Sequence, residues 1–502
     1  MTRVRSEDKW RRAVAAGLGL CLSSCAVGPD FHPPAPPAAT TFTKEPLPEA
    51  TASAAAAGGE AQRFVSGIDI PGNWWTLFHS EALDALVRDG LKANPTLEAA
   101  KDALRVAMEN VRAQQAAFYP AVSANAAASR AKESAVLSPT LKSNELLYSL
   151  YQAQIAFSWT PDIFGANRRQ VEVLQAQAEA QRLQLRATYI ALTANIVAAA
   201  LQEASLRAQI EAMEAVVKNV TDALAIIRRQ NALGQIAGAE VVAEEAALAQ
   251  AQQSLTPLEK QLAQQRDLLT ALAGRLPVDE IAQIFELGAL ELPQELPVSV
   301  PSKLVRQRPD IMVAEANLHA ASAEIGVATA AEFPSLTLTG NTGSVATGLG
   351  QLFGPGSGFW SLGANLAQPI FQGGMLIHRR RAAEAVYEQV LSIYKNTVIT
   401  AFQNVADALH ALEYDAEALK AVVATETAAS RSLDIARRQV ELGQAQYLAL
   451  INAQQTYQQA LSNRVQAQAN RYADTAALFE ALGGGWWNNA DIAAASLTGP
   501  QR

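Results

Sequence analysis

Cysteine is nearly absent from this chain of 502 residues, and the two present, Cys21 and Cys25, both fall within the first thirty positions. No disulfide framework and no cysteine-based metal site can therefore exist in the body of the protein. Histidine is scarce too: His32, His79, His319, His378 and His410 stand apart, without metal-ligand spacing or a cysteine partner. Phosphate-cradling loops are missing, since the glycines of 340–358 follow neither P-loop nor dinucleotide spacing. No catalytic set, metal site or cofactor is expected, and the chain reads as a non-enzyme. Its formal net charge is -8 and its basic residues are scattered rather than clustered. Nucleic acid is accordingly not expected as a partner.

What is present is a folded composition, 49% hydrophobic and 18% charged, on a chain long enough for two or three domains. Arg3, Arg5, Lys9, Arg11 and Arg12 precede an apolar stretch from Ala13 to Leu22. That stretch is a secretory signal, too short to span a bilayer as a helix. Its end, Leu22-Ser23-Ser24-Cys25, resembles the bacterial lipobox. The resemblance implies that 1–24 is removed and Cys25 is acylated; Ala26, where inner-membrane lipoproteins commonly carry Asp, favours the outer membrane. Residues 25–62, rich in Pro and Ala, read as an extended tether. At the other end, the chain from Gly483 onward is uncommitted, and 486–502 are expected to be a flexible tail.

Between these ends the sequence repeats. Asn94-Pro95-Thr96 matches Arg308-Pro309-Asp310, and the offset of 214 also relates Leu104 to Leu318 and Pro120 to Pro334. Later, Arg228-Arg229-Gln230 through Leu233-Gly234-Gln235 matches Arg437-Arg438-Gln439 through Leu442-Gly443-Gln444 at an offset of 209. One such match could arise by chance between Ala-rich helices, but a full set in one order indicates duplication. The copies are taken as 63–290 and 291–485.

Each copy has the same grammar. A helix (94–117, then 308–331) ends at a Pro that opens a period-two segment. Val122, Ala124, Ala126 and Ala128 alternate with polar residues, as do Leu147, Tyr151, Ala153, Ile155, Phe157 and Trp159. Leu336 and Leu338, then Trp360, Leu362, Ala364 and Leu366, repeat the pattern. Such strands are long enough to cross a bilayer when tilted, although a half-buried sheet on a soluble core gives the same alternation. Linking loops are expected at about 130–146 and from Gly340 to Gly358.

Very long runs follow, 165–232 and 374–441, with no Pro and no Gly after the first position. Continuous helix of that length is about 100 Å, which no ordinary globular domain accommodates; a slim barrel or coiled bundle is required. Each run ends at Leu-Gly-Gln, and a second helix returns over roughly 238–273 and 446–482, the first kinked at Pro257. The hairpin tips would lie far from the strands. Four strands cannot close a barrel while about twelve can, so membrane strands would call for a homotrimer.

The repeat, the two Leu-Gly-Gln tips, the lipobox and the Trp74-Trp75-Thr76-Leu77-Phe78 segment together resemble the outer membrane efflux proteins, the TolC-like factors, and most closely their lipidated NodT-type branch. The resemblance spans roughly 70–485. It implies a mainly α fold with a membrane β-barrel portion: a trimer with a twelve-stranded barrel in the outer membrane and a twelve-helix barrel in the periplasm. It implies a passive exit duct, served by a periplasmic adaptor and an inner-membrane exporter of the proton-driven RND type. Leu233, Gly234, Gln235, Leu442, Gly443 and Gln444 would be the adaptor-docking tips.

In the family the pore narrows at aspartates six and nine residues past the second tip glycine, positions held here by Ala449 and Asn452. The first tip instead offers Glu240, with Glu244 and Glu245 beside it. Glu240, Glu244 and Asn452, with Arg437 and Arg438 preceding the second tip, are the gate candidates; a solvated helix face is the alternative. Two other functions fit the same features: an outer-membrane conduit for type I polypeptide secretion, and a lipidated periplasmic adaptor or coiled-coil scaffold. An adaptor, however, carries one hairpin interrupting compact β-domains, and here there are two flanked by strands.

Overall fold

The computed structural model describes residues 26–134, 136 and 147–489. The signal segment, the lipidation position Cys25, most of the first strand loop and the end of the chain from 490 lie outside the described residues. The chain packs as two units, one of Met1–Pro34, Leu104–Ala180 and Ala314–Tyr394, the other of Ala35–Ala103, Gln181–Val313 and Lys395–Arg502.

Helices dominate. In chain order they are α1 (Glu81–Ala93), α2 (Pro95–Gln115), α3 (Ala166–Ala232), α4 (Gly238–Leu272), α5 (Pro301–Gln307), α6 (Pro309–Ala330), α7 (Met375–Glu441) and α8 (Tyr447–Ala481). The duplication is visible in their lengths: α3 and α7 have 67 residues each, α4 and α8 have 35 each. Proline at the first position of α2 and of α6 sets φ for a helix start, where no N–H bond is lost. Helix α4 continues through Pro257 rather than ending there.

The first unit carries the strands β2 (Ala121–Lys132), β3 (Leu147–Trp159), β5 (Ser335–Ala346) and β6 (Gly358–Ala367), which form one antiparallel sheet in the order β2-β3-β5-β6. Strand β5 runs well into the segment expected as loop, through Gly340 and Gly343. Glycine is needed at 340 by its neighbours. A Cβ there would lie 2.3 Å from the Phe157 ring and 2.8 Å from Leu362. The second loop is correspondingly shorter than its glycine content implies.

The second unit has its core where the sequence offered the Trp-Trp segment. Trp74, Trp75 and Phe78 form a buried 3-10 turn; Trp74 stacks on Phe479 of α8 at 5.4 Å, and Trp75 Nε1 donates to Asp84 at 3.0 Å. Helix α1 follows, opened by Ser80, whose hydroxyl accepts from the Leu83 amide. Two short strands pair in parallel, β1 (Arg63–Ser66) with β4 (Glu295–Val298).

Two expectations about the chain ends change. The described residues before β1, 26–62, form no helix or strand, but they are not a loose tether. Arg471 of α8, 1% exposed, donates to the carbonyls of Gly58 and Glu60 at 3.0 Å, to Thr51 Oγ1 at 3.2 Å and to Gln62 Oε1 at 2.9 Å. A buried guanidinium needs acceptors, and this segment supplies them. Nor are residues 486–489 of the expected tail free. Trp487 Nε1 donates to Asp69 at 2.9 Å, and Asn488 Nδ2 to the Ile70 carbonyl at 2.7 Å. Asn489 Nδ2 donates to Asn73 Oδ1 at 3.0 Å, so the described tail residues are fastened to the chain before α1.

Candidate channel wall and helix tips

The sheet register decides what its faces are. Val122 pairs with Phe157, Phe157 with Gly340 and Gly340 with Leu362, so these residues form a row on one face. The next row is Ala124, Ile155, Thr342 and Trp360. The other face carries Ser123, Asn125, Gln154, Asn341, Ser361 and Asn365. In the single protomer the outer strands β2 and β6 are open on both faces, and the apolar face is left uncovered: Val122 is 69% exposed, Ile155 54%, Trp360 74% and Leu362 70%. On a soluble sheet the apolar face is covered. Here it is presented outward across all four strands, with a polar face behind it, which is the alternation of a membrane barrel wall around an aqueous lumen.

Both outer strands, β2 and β6, have one edge unpaired within the protomer. At the foot of the sheet, Trp159 Nε1 bonds the Phe118 carbonyl at 3.0 Å, and Phe164 stacks on Phe333 at 4.9 Å. Tyr119 and Phe371 are exposed there, the chemistry of an interfacial aromatic belt. Among the described residues one helix, α3, contains a window apolar enough to cross a membrane, but 72% of that window is buried inside the protein.

The tips are alike in backbone. Gly234 and Gly443 have φ of 72° and 68°, the left-handed region that glycine enters without a Cβ clash. At the first, the Gln235 amide donates to the Gln230 carbonyl at 3.0 Å and Gly234 to Asn231 at 2.9 Å. At the second, Gln444 donates to Gln439 at 2.8 Å and Gly443 to Val440 at 3.0 Å. Leu233 and Leu442 are 67% and 70% exposed, each beside its glycine.

In sequence the family profile of outer membrane efflux proteins matches residues 86–275 and 300–484. The chain belongs to the outer membrane efflux protein family. It is 31% identical over 475 residues to a toluene efflux pump outer membrane protein, TtgC of Pseudomonas putida, covering 94% of this chain and 95% of that one. The same identity and coverage hold for the antibiotic efflux pump outer membrane protein ArpC of Pseudomonas putida. The solved outer-membrane channel OprN superposes with a TM-score of 0.80 at 26% identity, over 92% of this chain and all of that one. The fold is that of a TolC-like channel subunit, and the adaptor alternative is set aside.

Within this efflux protein the gate candidates do not form one set. Glu244 is 0% exposed, and neither carboxylate oxygen reaches a donor in good geometry. It faces the Tyr447 hydroxyl. Around Tyr447 the two hairpins pack through Ile227, Ala436, Leu450 and Ile451, with Val241 and Ala247 against them. Glu244 therefore belongs to the core between the tips and not to a charged rim. Burial raises its carboxyl above the ordinary carboxylate range. Glu245 pairs with Arg228 at 2.7 Å. Glu240 sits in the first turn of α4, where the helix dipole favours an acid, while Asn452, Arg437 and Arg438 are exposed.

The burial of Glu244 was not legible because an acid four residues past Glu240 and next to Glu245, close to a helix start, reads as surface. Asp474, in the last third of α8, was missed because a lone acid on a long helix also reads as surface; its own burial and the neighbouring Asp415 push it up to about 7.

Proposed function

We propose that this outer membrane efflux protein is the passive exit duct of a tripartite efflux pump, working as a homotrimer in the outer membrane. The observation that carries the reading is the sheet: apolar outward, polar behind, and unpaired at both edges. Unpaired backbone groups in hydrocarbon cost several kcal/mol each, so the sheet must be closed by other copies. Three copies bring twelve strands. The duct performs no chemistry; energy comes from an inner-membrane exporter of the RND type, coupled through a periplasmic adaptor. The exposed Leu233-Gly234-Gln235 and Leu442-Gly443-Gln444 tips are the adaptor-docking surface. Glu240, with Asn452, Arg437 and Arg438, lines the periplasmic gate, and acylated Cys25 adds a lipid anchor.

Small molecules are the cargo class, in keeping with relatives named for toluene and antibiotic efflux. Deleting the gene should sensitise the cell to apolar solvents and antibiotics, and the wild-type chain should restore resistance. The adaptor should co-purify with the wild-type chain and be lost when Gly443 and Gln444 are both changed to bulky charged residues. Unchanged susceptibility together with a missing secreted polypeptide would replace this reading with type I secretion.

A further inference from the structure

The residues that immediately follow Cys25 are gripped. Arg169, near the start of α3, has a side chain only 5% exposed. Its Nε donates to the Val27 carbonyl at 3.1 Å; its Nη2 donates to the Gly28 carbonyl at 3.3 Å and to Asp30 Oδ1 at 2.8 Å. Its Nη1 donates to Glu172 Oε2 at 2.7 Å. The other Glu172 oxygen lies 2.9 Å from His319 Nε2, and the His319 ring stacks on Phe31 at 4.5 Å. The Val27 amide donates to the Phe164 carbonyl at 3.2 Å. Gly28, at φ +96°, lies so close to α6 that a Cβ would fall 2.4 Å from Gly326 Cα.

A buried guanidinium is costly unless its donors are met, and here three of its four acceptors come from Val27, Gly28 and Asp30. A connecting segment with no task would not be held in this way. A loose tether of about 37 residues would let its end wander over about 30–35 Å.

We infer that Arg169, Glu172 and His319 form a positioning site for the membrane anchor, holding Ala26–Phe31 just past the foot of β3 so that the acylated N-terminus enters the bilayer beside the strands. The inference rests on the proposed acylation of Cys25, which precedes Ala26 by one peptide bond. Fixing the anchor raises its effective concentration at the point where strands enter lipid.

The test uses the full chain in outer membranes, with Arg169→Met, Cys25→Ser behind an ordinary cleavable signal peptide, and the double variant. Three quantities are read: the mass of the N-terminal peptide, hydrogen exchange at residues 27–31, and the yield of heat-stable trimer. Arg169→Met should raise exchange at 27–31 by about tenfold or more while leaving β2–β6 protected. It should lower trimer yield several-fold, and the double variant should be no worse than Cys25→Ser alone, because both changes act through the anchor. Losses that multiply in the double variant, or a Cys25→Ser chain that assembles fully while Arg169→Met does not, would show a merely structural role and overturn the inference. Acylated protein with unchanged exchange in Arg169→Met overturns the positioning site alone. An N-terminal peptide without acyl mass overturns the anchor reading and the positioning site together.

Discussion

In the sheet, Val122, Phe157 and Leu362 share a row and are turned outward; around the tips Ile227, Leu450 and Ile451 are turned inward, and the carboxyl of Glu244 is turned in with them. The two regions use opposite rules for which groups face out. The difference teaches that burial within one protomer has meaning only against the medium outside it. Apolar side chains directed outward across four strands are in place when that medium is hydrocarbon. A carboxyl directed inward at the tips is out of place in any medium, and the packing there bears its cost.

The comparison breaks most visibly if the faces of the sheet are equivalent. Ile155→Arg places a charge on the outward apolar face and should cost about 2–4 kcal/mol near the bilayer midplane. Gln154→Arg, its sequence neighbour on the polar face, should leave assembly nearly unchanged. Heat-stable trimer in lipid vesicles checks both, and equal losses would mean that the sheet is not a membrane wall.

The tips should respond in the reverse sense. Glu244→Leu removes a buried carboxyl without a well-placed partner and should stabilise the periplasmic hairpins by about 1–3 kcal/mol. The pH dependence has a definite sign. Because burial raises the native pKa above the ordinary 4.5, the native state binds its proton more tightly than the unfolded chain. Stability is therefore full below about 4.5 and lost as pH climbs through the raised native value. Asp474, at about 7 in the native protein, acts in the same direction. Thermal unfolding followed by helical circular dichroism should fall between about pH 5 and pH 8 in the wild type. Glu244→Gln and Asp474→Asn should each flatten part of that fall, and a wild-type Tm that rises over this range would contradict the burial.

The smallest expected effect sharpens the likeness between the two tips. Gly234→Ala and Gly443→Ala each force a Cβ into the left-handed region, at a cost of about 1 kcal/mol. Hydrogen exchange at the last turns of α3 and α7 should report similar loosening at each tip. A large loss at only one would show that their matching backbones carry unequal loads.

Much of this architecture was open to reading from the residues alone. Period-two alternation located β2, β3 and β6 because apolar and polar side chains must separate on a two-faced strand. The lack of Pro and Gly over two long runs located α3 and α7 to within one residue at their starts. Strand β5 was cut short because glycine signals a turn unless a cross-strand ring such as Phe157 requires it. The β1–β4 pair escaped notice because four-residue strands paired across more than two hundred residues leave no local pattern.

Periodicity, turn chemistry and repetition are local properties, and they determined the two copies, the strands, the long helices, the tips and hence the family. Tertiary structure decided where charge resides. It withdrew Glu244 from the gate, fastened the proline-rich segment to Arg471, tied the described tail to Asp69 and Asn73, and brought Arg169 onto Ala26–Phe31. The reason is physical: an ionisable side chain looks the same in sequence whether its partner is water or a carbonyl hundreds of residues away, and only the folded packing supplies that partner or withholds it.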